Sequence, residues 1–289
     1  MIAYRAALTV LCGASIAAAS PVVGSSSPTT TEEAPRHFES PQRFALELKF
    51  TPYSPHIDRS AGLRPGETPF ADLFNGRTYD AAGALTNKGA QPSYRLLTSV
   101  EFDVQFLRRA YGNFGVGITT GFYRRTTHGF ELSPDGTRCD LATCSRSGDE
   151  TALNIIPLTA LFVYRFDLLA NRYHIPLVPY FKIGLAYYVW FIQNGDGSIA
   201  SYPRPTATNA GVHGESAYGG SFGFVLNPGI ALQLDFIERG VARNMDGETG
   251  INHTYLFCEL SYANVNGFGA SNKLDLSDTM LNAGFAIEF

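Results

Sequence analysis

The sequence predicts an all-β fold: a single closed antiparallel barrel of eight strands, with long loops at one end. Three observations lead to this prediction. Eight segments of the 289-residue chain alternate apolar and polar side chains with the period of a strand. Charged residues within these segments fall on the face opposite the apolar one. The connections between the segments alternate, for the most part, between long and short.

The eight predicted strands have boundaries that follow the apolar alternation. They cover residues 43–51, 94–107, 113–126, 152–167, 178–193, 219–236, 252–264 and 279–289. A chain that finishes inside a strand needs a partner for that strand's edge, so the last segment is expected to pair with the first and close the barrel. Pro157 and Pro228 each remove a ladder donor, and we expect bulges there.

The distribution of charge predicts that the barrel crosses a membrane. The segments exceed the roughly 9 to 11 residues that a strand needs to span a bilayer. With the apolar face towards lipid, thirteen charged residues are expected to point into the lumen: Arg43, Glu47, Lys49, Arg95, Glu101, Asp103, Arg125, Arg165, Asp167, Lys182, Asp235, Glu259 and Glu288. A barrel of eight strands has room inside for little more than side chains. We therefore expect salt-bridged pairs and no open pore, with Arg43 paired to Glu288 at the periplasmic rim.

The lengths of the connections predict how the barrel is oriented. Connections 52–93, 127–151 and 194–218 are long, whereas 108–112 and 168–177 are short. Outer-membrane barrels have long external loops and short periplasmic turns. Both chain termini are accordingly expected in the periplasm. The last two connections, 237–251 and 265–278, hardly differ in length.

The amino-terminal region predicts export from the cytoplasm. Residues 1–19 contain one basic residue, an apolar run and the small-residue ending Ala17-Ala-Ala19, which is the pattern of a signal peptide. A lipoprotein anchor at Cys12 is the less favoured alternative, because Leu11 stands where a small residue is expected. Residues 20–42 are rich in Ser, Thr and Pro and are expected to form a flexible periplasmic lead-in. The barrel then occupies residues 43–289.

The overall composition excludes some classes of function. The formal net charge is −4 and the basic residues are scattered, which disfavours nucleic acid as a partner.

Cys139 and Cys144 lie in a predicted external loop, and the oxidising compartment favours a disulfide between them over two free thiols.

Residues that could carry chemistry are few. The six histidines have no spacing typical of a metal site, and no nucleophile motif is present. His253 starts the seventh segment on the polar face, near Glu259 in sequence, and a hydrogen-bonded lumen residue is favoured over a general base there. Asn194, Asp196 and Ser198 have part of the spacing of a calcium loop, but Ile199 stands where glycine is needed, which favours a turn. We expect no catalytic residue, metal or cofactor.

Several stretches resemble known membrane proteins. They are Thr51-Pro-Tyr-Ser-Pro-His-Ile-Asp58, Pro69-Phe-Ala-Asp-Leu-Phe74, Ile175-Pro-Leu-Val-Pro-Tyr-Phe-Lys-Ile-Gly184 and Gly250-Ile-Asn-His-Thr-Tyr255, together with Ile156-Pro-Leu158 and Tyr164-Arg-Phe-Asp167. They are similar to a family of outer-membrane barrels from myxobacteria and related deltaproteobacteria. The resemblance implies a barrel in the outer membrane and adds no catalytic residue. The last strand likewise resembles the closing strand of such barrels, which implies that Phe285, Ile287 and Phe289 form an assembly signal for the barrel-assembly machinery.

Three functions are consistent with these observations. The favoured one is a non-enzymatic outer-membrane barrel with a structural role or a role in presenting its loops. The alternatives are a narrow channel for small solutes and a membrane-embedded enzyme acting on lipid or peptide. The expected partners are outer-membrane lipid and lipopolysaccharide, and the partner of the external loops cannot be predicted.

Overall fold

The chain folds into the predicted closed barrel. The computed structural model describes residues 43–80, 82, 84–89, 94–109, 111–131, 145–203, 214–235 and 251–289. The predicted signal peptide, the lead-in and the proposed Cys139–Cys144 disulfide lie outside these residues. Among the described residues, no helix has the length and apolar character needed to cross a bilayer.

Eight long strands form the barrel wall, and short elements occupy its connections. The wall strands are β1 (Phe44–Tyr53), β4 (Arg95–Arg109), β5 (Gly112–Phe130), β6 (Arg146–Arg165), β7 (Leu177–Asn194), β10 (Tyr218–Gln233), β11 (His253–Asn264) and β12 (Asp278–Glu288). The connections contain the two-stranded pairs β2 (Thr78–Tyr79) with β3 (Leu85–Asn87) and β8 (Ser201–Pro203) with β9 (Gly214–Ser216), the helices α1 (Pro69–Phe74) and α2 (Leu168–Tyr173), and single 3-10 turns at Ile57–Arg59 and Gly267–Gly269.

The barrel closes between the first and last wall strands, as the sequence predicts. The order around the wall is β1, β12, β11, β10, β7, β6, β5 and β4, and every neighbouring pair is antiparallel. Ala45 pairs with Glu288 and Phe50 with Ala283, so the edge of β12 is covered by β1. We call the end where β1 begins the terminal end and the opposite end the loop end.

The expectation of bulges at the two prolines is wrong. Pro157 pairs with Tyr188, and Pro228 pairs with Phe181, in ladders whose register is the same before and after each proline. A proline removes one amide donor without adding a residue, so the register need not change. The register shifts in the described ladders of the wall lie elsewhere, between Gln105 and Leu107 and between His128 and Phe130.

The two faces of the wall differ sharply in polarity. Apolar side chains on the outer face are solvent-accessible on every wall strand, as shown by Leu48, Phe102, Ile118, Leu185 and Phe285. Residues at the intervening positions are buried in the lumen. Strands β5, β6 and β7 have 18 to 20 residues, whereas β11, β12 and β1 have 10 to 12, so the wall is uneven in height.

Candidate functional site

A network of charged side chains fills the lumen near the terminal end. Glu47 and Glu101 lie directly opposite each other on β1 and β4, a like-charge pairing that is unfavourable alone. Lys182 of β7, which is fully buried, resolves it by contacting both carboxylates; its Nζ lies 2.6 Å from Glu47 Oε2. A second ammonium, on Lys49, lies 2.8 Å from Glu101 and 3.2 Å from Glu259.

Arg165 joins this network to the terminal rim. Its guanidinium lies 2.7 Å from Glu47, 2.9 Å from Asp103 and 2.6 Å from Glu288. The expected pairing of Glu288 with Arg43 is therefore wrong. Arg165 forms the ion pair with the Glu288 carboxylate, and Arg43 is exposed just before β1. A long arginine side chain reaches across a lumen this narrow, so the nearest charge on a neighbouring strand need not be the partner.

Neutral donors complete the network. Five carboxylates, on Glu47, Glu101, Asp103, Glu259 and Glu288, face three cations, so the buried cluster carries two more acidic than basic groups. The hydroxyl groups of Thr119 and Tyr255 donate to Glu101 and Glu288 at 2.6 and 2.8 Å, respectively. Gln105 also donates to Glu288, and Asn282 to Glu259, both at 2.9 Å. These bonds offset part of the desolvation of the excess carboxylates.

Glycines on β5 make room for the network. Gly117 faces the lumen beside Asp103, and a Cβ atom there would collide with the Asp103 carboxylate. Gly121 lies against Ser99 in the same way. The small residues on the lumen face of this strand therefore have a packing reason: the long side chains of other strands occupy that space.

The loop half of the lumen is filled mainly by apolar and aromatic side chains, which differs from the polar lumen that the sequence predicts. Tyr53 and Tyr123 meet edge to face with their ring centroids 5.0 Å apart, and both are fully buried. Leu97, Tyr188 and Met280 pack around them. The Tyr53 hydroxyl donates to the carbonyl oxygen of Leu276 at 2.7 Å, which satisfies its polar end.

Helix α1 covers this aromatic layer. Phe70 belongs to the same buried cluster as Tyr53 and Tyr123, and Phe74 packs against it. Asp58 caps the amino end of the helix by accepting from the amides of Phe70 and Ala71 at 2.7 and 3.1 Å. Burial raises the pKa of Asp58 above its usual range, although these two hydrogen bonds oppose the shift.

Two arginines hold the other end of α1. Arg125 of β5 donates to the carbonyl oxygen of Phe74 at 2.6 Å, and its guanidinium lies 5.0 Å from the Phe70 ring. Arg146 of β6 donates to the carbonyl oxygen of Asp72 at 2.9 Å. The orphan carbonyl groups of a short helix are thus bound by cations from the barrel wall, which clamps the helix over the mouth.

The thirteen predicted lumen charges are distributed over four locations. Eight form the buried network: Glu47, Lys49, Glu101, Asp103, Arg165, Lys182, Glu259 and Glu288. Arg125 is buried under the cap. The predicted lumen position is wrong for Arg43, which is exposed at the terminal end. Arg95 is on the inward face of β4 but is exposed at the loop end, and Asp167 and Asp235 lie just beyond β6 and β10 at the terminal end. Alternation identifies the face of a strand but does not indicate how far the membrane extends along it.

His253 lies at the terminal rim, where β11 begins. Its Nδ1 contacts Asp235, whose other oxygen accepts from the Thr254 amide at 3.3 Å. Burial opposes ionisation of Asp235, but hydrogen bonds from His253 and Gln233 outweigh it, and the pKa of Asp235 is lowered. The pair braces the start of the connection from β10 to β11.

Burial and the nearby Glu288 carboxylate raise the pKa of Asp167 to about 7.

Among the described residues, Glu47, Glu101 and Asp103 are a group of carboxylates close enough to hold a metal ion, with oxygens within 4.8 Å of one another. Their oxygens already bind Lys182 and Arg165, so this donor set fits ammonium and guanidinium groups rather than a metal. The stretch from Asn194 to Ser198 is a hydrogen-bonded turn.

Both ends of the clamp lie outside the predicted strands. Arg146 lies six residues before the predicted start of the fourth strand, and Asp58 lies in the predicted first loop. A signal for α1 was present: Thr68-Pro69 places a proline at the first helical position, which is typical of a helix start.

Comparison with known proteins returns resemblances of structure only. No family model and no curated protein matches the sequence. OprG from Pseudomonas aeruginosa is 12% identical, with a TM-score of 0.43 over 86% of this chain and 96% of OprG. Ail of Yersinia pestis, solved with the heparin analogue sucrose octasulfate, is 9% identical, with a TM-score of 0.36 over 86% and 97%. The outer-membrane protease OmpT from Escherichia coli is 7% identical, with a TM-score of 0.29 over 86% and 92%. Scores this low indicate nothing about a shared activity.

Proposed function

We propose that this protein is an integral outer-membrane barrel with a closed lumen, which holds a rigid platform of loops outside the cell. The single observation that carries the proposal is the filling of the lumen: a charged network at the terminal end, an aromatic layer at the loop end, and a clamped helix above it.

The outer surface supports membrane insertion. Large apolar side chains such as Phe44, Phe102, Phe162, Leu185 and Phe285 are all more than a third exposed. A continuous apolar wall of this kind is unfavourable in water and typical of a lipid-facing barrel. The closed ladder leaves no open strand edge in the wall, and such an edge would be unfavourable in lipid because its backbone groups would have no hydrogen-bond partners.

The filled lumen favours a structural role over conduction. Two cavities within the described lumen have volumes of about 40 and 10 Å³. Cavities of this size hold a water molecule or two, and a solute cannot pass between Lys182 and its carboxylate partners without breaking buried ion pairs. An enzyme is not favoured, since the rim pair of His253 and Asp235 serves as a brace between strands.

The orientation follows from the same asymmetry. The long strands and the cap belong to the loop end, and external loops are the longer ones in outer-membrane barrels. We therefore place the loop end outside the cell and the terminal end in the periplasm. In the proposed role, the cap and its neighbouring loops are the surface offered to partners.

Single-cysteine labelling tests this proposal. In a background with Cys12, Cys139, Cys144 and Cys258 changed to Ser, Arg64→Cys lies at the loop end and Arg109→Cys at the terminal end. A membrane-impermeant maleimide should label Arg64→Cys on intact cells and Arg109→Cys only after the outer membrane is permeabilised. The reverse pattern would overturn the orientation, and recovery of the folded protein in the soluble fraction would overturn the membrane location.

A further inference from the structure

A groove lies on the outer face of the barrel. It has a volume of about 790 Å³ and is almost entirely apolar. Small side chains, Thr120 and Ala160, form its floor, and the larger Ile118, Leu185 and Phe222 rise around them. The volume falls in the range of ligand-binding sites, whereas an ordinary barrel wall is convex.

A strained loop residue completes the groove. Phe268 is 73% exposed, lines the groove and has a φ of 56°, which is unfavourable for a bulky side chain. Gly267 and Gly269, on either side, also have positive φ values, of 64° and 82°. Three consecutive left-handed residues turn the ring away from the cap and onto the outer wall, and strain of this kind is typical of binding sites.

A cationic side chain lies above the groove towards the loop end. Arg124 follows Thr120 by four residues on β5, so it lies on the same face about 13 Å further along the strand. It is exposed and donates to Gln193 at 3.3 Å, and Gln193 also accepts from Asn154 at 3.1 Å. The apolar groove suits the acyl chains of a lipid. The cation, at the level where the apolar wall ends, suits a phosphate joined to those chains.

We propose that this groove binds one molecule of lipid A, the phosphorylated and acylated glycolipid of the outer leaflet. Acyl chains lie between Phe268 and the floor at Ala160, and a phosphate contacts Arg124. The choice of lipid A over a glycerophospholipid rests on the proposed function, which places the loop end in the outer leaflet. Lipid at this site would hold the strained Gly267–Gly269 turn against the wall.

Native mass spectrometry of the refolded barrel in a neutral detergent tests the site. The probes are synthetic lipid A, phosphatidylglycerol and phosphatidylcholine, each titrated separately. Wild-type protein should retain one lipid A with clear preference over both phospholipids. Ala160→Phe fills the floor of the groove and displaces an acyl chain, and Arg124→Gln removes the charged contact to the phosphate. Each variant should weaken retention about tenfold, which is the effect of losing one well-placed contact.

Matched controls separate the groove from general adhesion of lipid. Ala283→Phe adds the same ring to the outer face of β12, and Arg109→Gln removes an exposed arginine at the terminal end. Neither should change retention. Equal losses in the control variants, equal retention of the phospholipids, or no retained lipid would each overturn the proposed site. Heat-modifiable gel mobility identifies a folded barrel. If the folded barrel retains no lipid A, the lipid site is wrong but the proposed function still stands.

Discussion

The two halves of the lumen are filled by opposite kinds of chemistry. At the terminal end, Lys182 and Arg165 bind several carboxylates each, and most of the interaction energy is electrostatic. At the loop end, Tyr53 and Tyr123 pack with aliphatic side chains under helix α1, and the interactions are mainly apolar. The same period of two along the wall strands produces both halves.

The difference shows what each half tolerates. An apolar layer loses stability in proportion to the atoms removed, whereas a buried ion network loses far more when one partner is deleted, because a charge is left uncompensated. We expect the terminal half to determine whether the barrel folds and the loop half to determine whether the platform above it is rigid.

The largest expected effect is that of removing Lys182. Lys182→Met removes one of the two ammonium groups that Glu47 and Glu101 share, so that only Lys49 bridges them, and we expect a loss of about 3 to 5 kcal/mol in the free energy of unfolding. Urea unfolding of the barrel refolded in lipid vesicles measures this loss. Adding Glu101→Gln to Lys182→Met should recover part of it.

Lys88→Met is the matched control, because Lys88 is exposed in the first loop and its replacement should change stability by less than about 0.5 kcal/mol. If Lys182→Met proved as mild as this control, the claim that the terminal half is held by ion pairs would be wrong.

An intermediate effect is expected at the cap. Arg125→Met removes the donor to Phe74 and Asn75, and we expect α1 to lose about 1 to 3 kcal/mol of local stability while the barrel stays folded. Hydrogen exchange of residues 69–74 should then be faster. Arg124→Met, one residue away on the outer face, should leave exchange unchanged; equal acceleration in both variants would contradict the clamp.

The smallest expected effect is a dependence on pH at the terminal rim. The pKa of Asp167 is raised to about 7, so the folded state keeps a proton that the unfolded chain releases near pH 4. The free energy of unfolding should therefore fall as pH rises from about 4 to 7. Asp167→Asn mimics the protonated form and should match wild type near pH 4 but exceed it at pH 8, by no more than about 1 kcal/mol because the group is partly exposed.

Asp235→Asn provides a control of opposite sign. The pKa of Asp235 is lowered, so its ionised form stabilises the fold above the unfolded pKa, and that contribution is lost as pH falls. Its replacement should be destabilising at pH 7 and neutral in strong acid. Identical pH profiles for the two variants would contradict the assigned electrostatics of the rim.

Most of the wall could be predicted from the sequence. The eight predicted segments match the wall strands in order, and most ends agree within two residues, because lipid on one side and the lumen on the other require strict alternation. The pairing of β1 with β12 followed from the need to cover the last edge. The predicted fourth strand starts six residues too late, because β6 begins at Arg146, where both faces become polar and alternation disappears.

The contents of the lumen were only partly predictable. Alternation identified the inward face, which is why Glu47, Lys182 and Glu259 were recognised, but it cannot rank them by height within the barrel. Partners such as Arg165 and Glu288 lie 123 residues apart and depend on the stagger of the wall strands. The aromatic layer was missed because Tyr53 and Leu97 lie at strand ends, where an inward apolar side chain resembles a change of register.

Single-channel recording in a planar lipid bilayer tests the closed lumen most directly. The refolded wild-type barrel should insert and show no discrete current steps at moderate voltage, in membranes where a water-filled porin gives clear steps. The ion pairs of Lys182 and the aromatic layer beneath α1 both predict that no current steps are seen. Reproducible steps from protein with verified insertion and heat-modifiable mobility would contradict the account.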